Sequence, residues 1–356
     1  MYSFFKKAII IIFVLVTLIA FSQISFMETY VNKNESDNGN IYYQVKSISD
    51  YVVWDQENSP YICQAGSNGG YYINGGVTIK EGGTLLIKAG VKVYFLEGHG
   101  SIKVENGGTL LIEGTKNDPV VISNHPLREE GNWASIKFEE GSSGEIDNLN
   151  ISDAGYESWG FQDWLPNSSI YISKSSPTIQ NVEIDNSIGY GMRINGSNSQ
   201  ITNINILNSS KDAICVESPY NSFPYFSNIT ATNNLRDGVV LKNTINFIED
   251  TTIYNAGVPY IIGNHIIIDE QKTLNIEEGT ILRFGGWESD YDYHMIVESN
   301  ATLNINGDQS EKVIFTSAYD NEYGGAILNI DSLLERTPLH SNGYADWRGV
   351  ICLEDS

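Results

Sequence analysis

A short phrase that returns along the middle of the chain constrains the fold more than any other feature. It reads Asn-apolar-x-apolar, with a second Asn or Asp two residues on. Copies stand at Asn148-Leu149-Asn150-Ile151 with Asp153, and at Asn181-Val182-Glu183-Ile184 with Asn186. Others are Asn203-Ile204-Asn205-Ile206 with Asn208, and Asn228-Ile229-Thr230-Ala231 with Asn233. A degenerate fifth copy is Asp250-Thr251-Thr252-Ile253 with Asn255. The steps between first residues are 33, 22, 25 and 22. A unit this short, carrying two or three strands, cannot bury its apolar face alone, so successive units must stack. The period predicts one turn of a parallel β-helix per copy.

Aligned positions on successive turns of such a coil lie ~4.8 Å apart. The phrase therefore predicts an inward stack of Ile151, Ile184, Ile206, Ala231 and Ile253. Two more follow, Met192-Ile214-Val239 and Ile194-Val216-Leu241. Asp153, Asn186, Asn208, Asn233 and Asn255 form a predicted corner column. Asn tolerates the left-handed backbone a corner needs, and stacked amides can hydrogen-bond along the column, so its main reading is a structural ladder rather than a ligand site.

A longer duplication brackets these copies. Pro60-Tyr61-Ile62 returns as Pro259-Tyr260-Ile261, and Val77-Thr78-Ile79 as Ile266-Ile267-Ile268. Thr84-Leu85-Leu86-Ile87 with Phe95 returns as Thr273-Leu274-Asn275-Ile276 with Phe284. Thr109-Leu110-Leu111-Ile112 matches Thr302-Leu303-Asn304-Ile305, Val120-Val121-Ile122 matches Val313-Ile314-Phe315, and Trp133 matches Trp347. The offset drifts from 199 to 189, 193 and 214, so insertions fall between strands and leave the strands intact. Alternation such as Leu85/Ile87 and Leu110/Ile112, bounded by glycines, predicts strands throughout and almost no helix.

These phrases resemble the right-handed parallel β-helix repeat proteins of the pectate-lyase-like superfamily. The likeness is closest to secreted surface proteins with cassettes of the form PY-I, strand, G-TL-I, G-W, and it runs from about Trp54 to Ser356. It implies an all-β, right-handed parallel β-helix. It does not choose an activity, because that superfamily holds lyases, hydrolases, epimerases, adhesins and other surface proteins.

The expected organisation is a signal peptide over 1–22, an unstructured lead-in over 23–45 and a β-helix over 46–356. The helix divides into a first cassette (59–142), a coil stack (143–257) and a second cassette (258–356). Lys6 and Lys7 precede an apolar run from Ala8 to Phe21, which is short for a membrane span and right for an export signal. An uncleaved anchor reaching Met27 would place Ser22, Gln23 and Ser25 in the bilayer, so export is the expectation and the mature protein is not expected to be integral to a membrane. The second cassette stops at Ser356 with no cap, so further turns are expected beyond it.

The chain carries 44 acidic and 21 basic residues, a net charge of −23, which repels phosphate backbones and excludes nucleic acid as a partner. Cys63, Cys215 and Cys352 are too few and too scattered for a disulfide framework. Alternation puts Cys215 outward and Cys352 inward, at the place of Phe138. No metal-ligand spacing and no cofactor fingerprint is present, and Ca²⁺ has no motif to hold it.

Two carboxylates are candidates for catalysis. Asp212 and Asp237, in Lys211-Asp212-Ala213-Ile214 and Arg236-Asp237-Gly238-Val239, are 25 residues apart and stack as neighbours one turn apart. Neighbouring carboxylates can split their pKa values and act as acid and base, as in a polygalacturonase-like hydrolase. The doubled Asp and the Asn-Thr-Asp and Arg-Ile-Lys phrases of those hydrolases are missing. A pectate-lyase-like lyase would instead need a base such as Arg193 near Asp185 and Asp212.

Insertions between strands carry the stronger lead. The candidate ligand-binding aromatics are Tyr156, Trp159, Phe161 and Trp164 in one insertion, Tyr220 and Tyr225 in a second, and Trp287 and Tyr291 in a third. Aromatic faces beside acids and amides are how proteins grip sugar rings. The competing reading is that they fold back onto the solenoid flank. The expected function is binding of an extracellular polysaccharide at the cell surface. A polysaccharide-degrading enzyme and an adhesin stalk are the alternatives.

Overall fold

The computed structural model describes residues 33–35, 41–43, 47–63, 76–96, 100–126, 132–155, 167–218, 223–285, 293–318, 320 and 347–353. The leader and the three aromatic-rich insertions lie largely outside them. Among the described residues the strands form sheets of 12, 11, 4 and 3 members. Every pairing is parallel except that of Lys33–Glu35 with Ile41–Tyr43. A 3₁₀ turn at Gln56–Asn58, capped by the Asp55 side chain, is the one helical element described. None of the described helices is long and apolar enough to cross a membrane. This is an all-β, right-handed parallel β-helix.

The antiparallel pair falls within the 23–45 lead-in. Ile41-Tyr42-Tyr43 is a β-prone run, and Tyr43 pairs with Cys63 at the edge of the first sheet.

The repeated phrase becomes a bent strand. Ser143–Ser152, Thr178–Asp185, Gln200–Leu207 and Tyr225–Thr232 lie one over another, with Ile151 opposite Ile184, Ile184 opposite Ile206, and Ile206 opposite Ala231. The ladder skips a residue in the middle: Gln180 faces Thr202 and Val182 faces Ile204, with Asn181 and Asn203 between. Those asparagines are left-handed (φ 55° at both), as are Asn148 and Asn228 (φ 53° and 52°). A single left-handed residue bends a strand without ending it, and Asn is the residue other than Gly that visits this region routinely. Asn203 Nδ2 donates to Asn181 Oδ1 at 3.1 Å and Asn228 Nδ2 to Asn203 Oδ1 at 2.6 Å, while Asn181 donates to Asp147 at 2.7 Å. The second column is left-handed as well, from Asp153 to Asn233. The corner therefore has two amide columns where the phrase predicted one. Asn255 joins neither: its Oδ1 accepts from Gly257 N at 2.9 Å and closes a local turn.

The inward stacks are where alternation put them. Met192, Ile214 and Val239 are fully buried and register-matched, as are Ile194, Val216 and Leu241. The last member of the first stack is the exception. Ile253 is buried, but its strand Thr251–Ile253 pairs forward with Leu274–Ile276 and not back with Tyr225–Thr232.

That break has a cause in the duplication. Tyr61 pairs with Val93 in the sheet that carries Val120 and Leu149. Its counterpart Tyr260 pairs with Val239, in the other large sheet. The same cassette thus enters the stack one arm out of phase the second time. One large sheet runs on through the junction, while the other ends at Tyr225–Thr232 and two smaller sheets begin beyond it.

Of the two cysteines given a facing, Cys215 keeps it and Cys352 departs from it. Cys215 points outward beside Arg193 and Val240, yet is fully buried, because the longer Arg193 and Glu217 side chains, paired at 2.9 Å, flank its short thiol. Burial pushes that thiol up to about 12. Cys352 is exposed rather than inward, since its strand Trp347–Cys352 pairs on one side only, with Tyr293–Val297, among the described residues.

Candidate functional site

The two candidate acids follow separate paths although they stand on successive coils. Arg236 Nη2 donates to Asp212 Oδ2 at 2.8 Å and its Nε donates to Oδ1, so both carboxylate oxygens are engaged. Asp212 is 1% exposed. Burial raises its carboxyl above the ordinary value, and the Arg236 guanidinium pulls the other way. A bidentate, buried pair of this kind ties one coil to the next. Asp212 offers no oxygen to a substrate.

Asp237 is oriented by the corner beside it. Its Oδ1 accepts from Asn234 N at 3.0 Å and from Asn234 Nδ2 at 2.7 Å. Asn234, fully buried, also receives Ser209 N on its Oδ1 and donates to the Ile206 carbonyl. Asp237 Oδ2 accepts no bond among the described residues, and the side chain lines a cavity of about 450 Å³. The two candidate acids are therefore held differently, Asp212 through both oxygens by Arg236 and Asp237, 6% exposed, through Oδ1 by Asn234.

The cavity is the groove left by the sheet break. Ile229, Thr230, Ala231 and Thr232 form one wall, Asn255, Gly257, Val258 and Pro259 another, with Gly279 and Ile281 beyond. One backbone bond bridges it, from Ile229 N to Ala256 O at 2.7 Å. The crossing chain passes so close that a Cβ on Gly257 (φ +88°) would lie 2.8 Å from the Ile229 carbonyl oxygen. Successive residues of a parallel strand present their N–H and C=O groups to alternate sides. Ala231 therefore points both groups the same way as Ile229, into the groove.

Of the eight aromatics singled out by sequence, only Tyr225 lies among the described residues. Tyr156, Trp159, Phe161 and Trp164 fall in 156–166, Tyr220 in 219–222, and Trp287 and Tyr291 in 286–292. Tyr225 opens its strand facing outward, half-buried, while Phe226 points into the core. It meets Tyr254 edge to face at 5.0 Å, and Tyr254 is 42% exposed. Phe223, from the same insertion, instead packs on Phe226, Phe247 and Tyr260. One insertion thus supplies both an outward ring and a flank-covering one. Tyr254 was not singled out by sequence, although the alternation that sends Ile253 inward sends Tyr254 outward.

Arg193, the candidate lyase base, is held by Glu217 and lies 5.5 Å over the Tyr171 ring. Among the described residues, no three His, Cys, Asp or Glu side chains converge as metal ligands would.

Two family models match the chain. Residues 134–301 match a right handed beta helix region, and residues 63–137 match a pectate-lyase like beta helix domain. Neither a curated protein nor a solved structure gives a significant match.

Proposed function

We propose that this right-handed β-helix protein, carrying a pectate-lyase-like β-helix domain, is exported and binds extracellular polysaccharide along its flank. The observation that carries the reading is the Tyr225–Tyr254 pair. Two tyrosines from successive coils meet at 5.0 Å on the outer surface, one of them 42% exposed, beside a groove with hydroxyl, amide and carboxylate groups. Aromatic surface with polar groups at its margin suits a sugar ring, whose faces are apolar and whose rim is hydroxylated. A solenoid flank repeats at ~4.8 Å steps and suits an extended polymer better than a single small sugar.

Affinity electrophoresis of the whole chain through gels containing polysaccharides tests this. Tyr225→Ala and Tyr254→Ala should each weaken retardation by about 1–3 kcal/mol, as loss of a surface anchor does, with the melting temperature unchanged. Retardation in no gel, or variants that lose stability and keep their retardation, would sink the reading. Export is tested separately, by sequencing the N-terminus of secreted protein for cleavage near Ser22.

A further inference from the structure

The groove at the sheet break is a built feature of this chain. It exists because the second cassette enters one arm out of phase, which leaves Tyr225–Thr232 with no ladder on its forward edge over Thr230–Thr232 among the described residues. The lining residues with polar side chains are Asn255, Thr232, Asp237, whose Oδ1 is held by Asn234, and Thr230, whose hydroxyl donates to Asn205, and the strand edge at Ala231 faces them. Its apolar lining is Ile229, Ala231, Val258, Pro259 and Ile281. None of the lining residues is a Lys or Arg, and the chain as a whole carries −23.

Resting on the polysaccharide reading above, we propose that this groove is the saccharide site and that it takes neutral sugar units, not uronates. A carboxylate that is already oriented, with one oxygen held by Asn234, presents the other as a strong acceptor for sugar hydroxyls. The Ala231 N–H and C=O supply a donor and an acceptor on a rigid strand, which matches a ring hydroxyl that both gives and takes a proton. A uronate would place its own carboxylate against Asp237 with no Lys or Arg among the lining residues to compensate, and like charges repel. About 450 Å³ is within the ~300–1,000 Å³ usual for small-ligand sites. An extended peptide fits poorly. The Ile229–Ala256 bond already occupies the edge next to Ala231, so no run of strand remains to carry a ladder.

The test compares gels of galactomannan and mixed-linkage β-glucan with gels of polygalacturonate and alginate. Wild type runs beside Thr232→Arg, which fills the groove from an exposed rim position, and Asp237→Asn, which keeps an acceptor for Asn234 and loses the open anionic oxygen. Tyr254→Ala is the control for the outer aromatic pair. Expected is retardation by a neutral polymer, reduced about tenfold or more in both groove variants, with melting temperatures unchanged for Thr232→Arg. Retardation by the polyuronates instead overturns the neutral-sugar inference and leaves polysaccharide binding standing. Retardation lost in Tyr254→Ala but kept in both groove variants overturns the groove and likewise spares the broader reading. Absence of retardation in every gel overturns both.

Discussion

Arg236 reaches back one coil to Asp212 and grips both oxygens of a carboxylate that is 1% exposed, with Nη2 2.8 Å from Oδ2. The pair joins two turns of the solenoid at the corner where the bent strand swings toward the next sheet. Removing one member of such a pair leaves a buried charge with nothing to balance it, and that is usually worse than removing both.

Arg236→Gln should therefore destabilise the protein by about 3–5 kcal/mol near neutral pH. The dependence on acidity has a definite sign. Burial already holds the Asp212 carboxyl above its unfolded value, and losing Arg236 raises it further. The folded variant then binds the extra proton, so its stability rises as pH falls toward the unfolded carboxylate range. Chemical denaturation of variant and wild type at several pH values should show the gap narrowing on acidification. A constant gap would mean that the pair is not what Arg236 contributes.

The amide ladder gives a second expectation. Asn203 is left-handed, donates to Asn181 and accepts from Asn228. Asn203→Ala loses both bonds and pays the left-handed penalty of about 1–2 kcal/mol for a residue with a Cβ. Asn203→Gly removes only the bonds and should melt between Ala and wild type. The order wild type, Gly, Ala in thermal melts checks it, and a Gly variant no better than Ala would remove the backbone part of the account.

Facing along the coil is tested by neighbours. Ile206 is fully buried between Ile184 and Ala231, whereas Asn205 points outward to Glu183 and Thr230. Ile206→Asp should abolish soluble expression, because it buries an unpaired charge. Asn205→Asp keeps the acceptor that Thr230 uses and should be tolerated to within about 1 kcal/mol. The comparison is soluble yield and melting temperature side by side.

His265 and His294 stand on successive coils with ring centroids 4.2 Å apart. Burial, with His294 adding to it, lowers the His265 pKa below 6.5. A histidine whose folded pKa is depressed contributes stability that is present above about 6.5 and is lost as pH falls toward the folded value, because the unfolded chain takes the proton first. Melting temperatures between about pH 7 and about pH 5 should therefore drop more in wild type than in His265→Gln. Parallel curves would show that this pair does not contribute.

Local sequence determined the coil. Apolar alternation chose the inward faces of Ile184, Ile206, Met192 and Val216, because a parallel ladder repeats each position one coil on and period two leaves only one face for the core. Asparagine spacing marked the corners, because a left-handed bend selects a residue that can adopt it. What the sequence by itself could not determine was phase and company. The duplication of Tyr61 in Tyr260 was plain, yet nothing in either copy says which sheet its strand will join; that is decided by the arm on which the preceding coil finishes. The groove follows from that phase alone. So does the split between Asp212 and Asp237, whose identical spacing hides an arginine that reaches one of them and a cavity that opens on the other. Spacing fixes distance along a chain, but only the stacked structure decides which side chains meet across it.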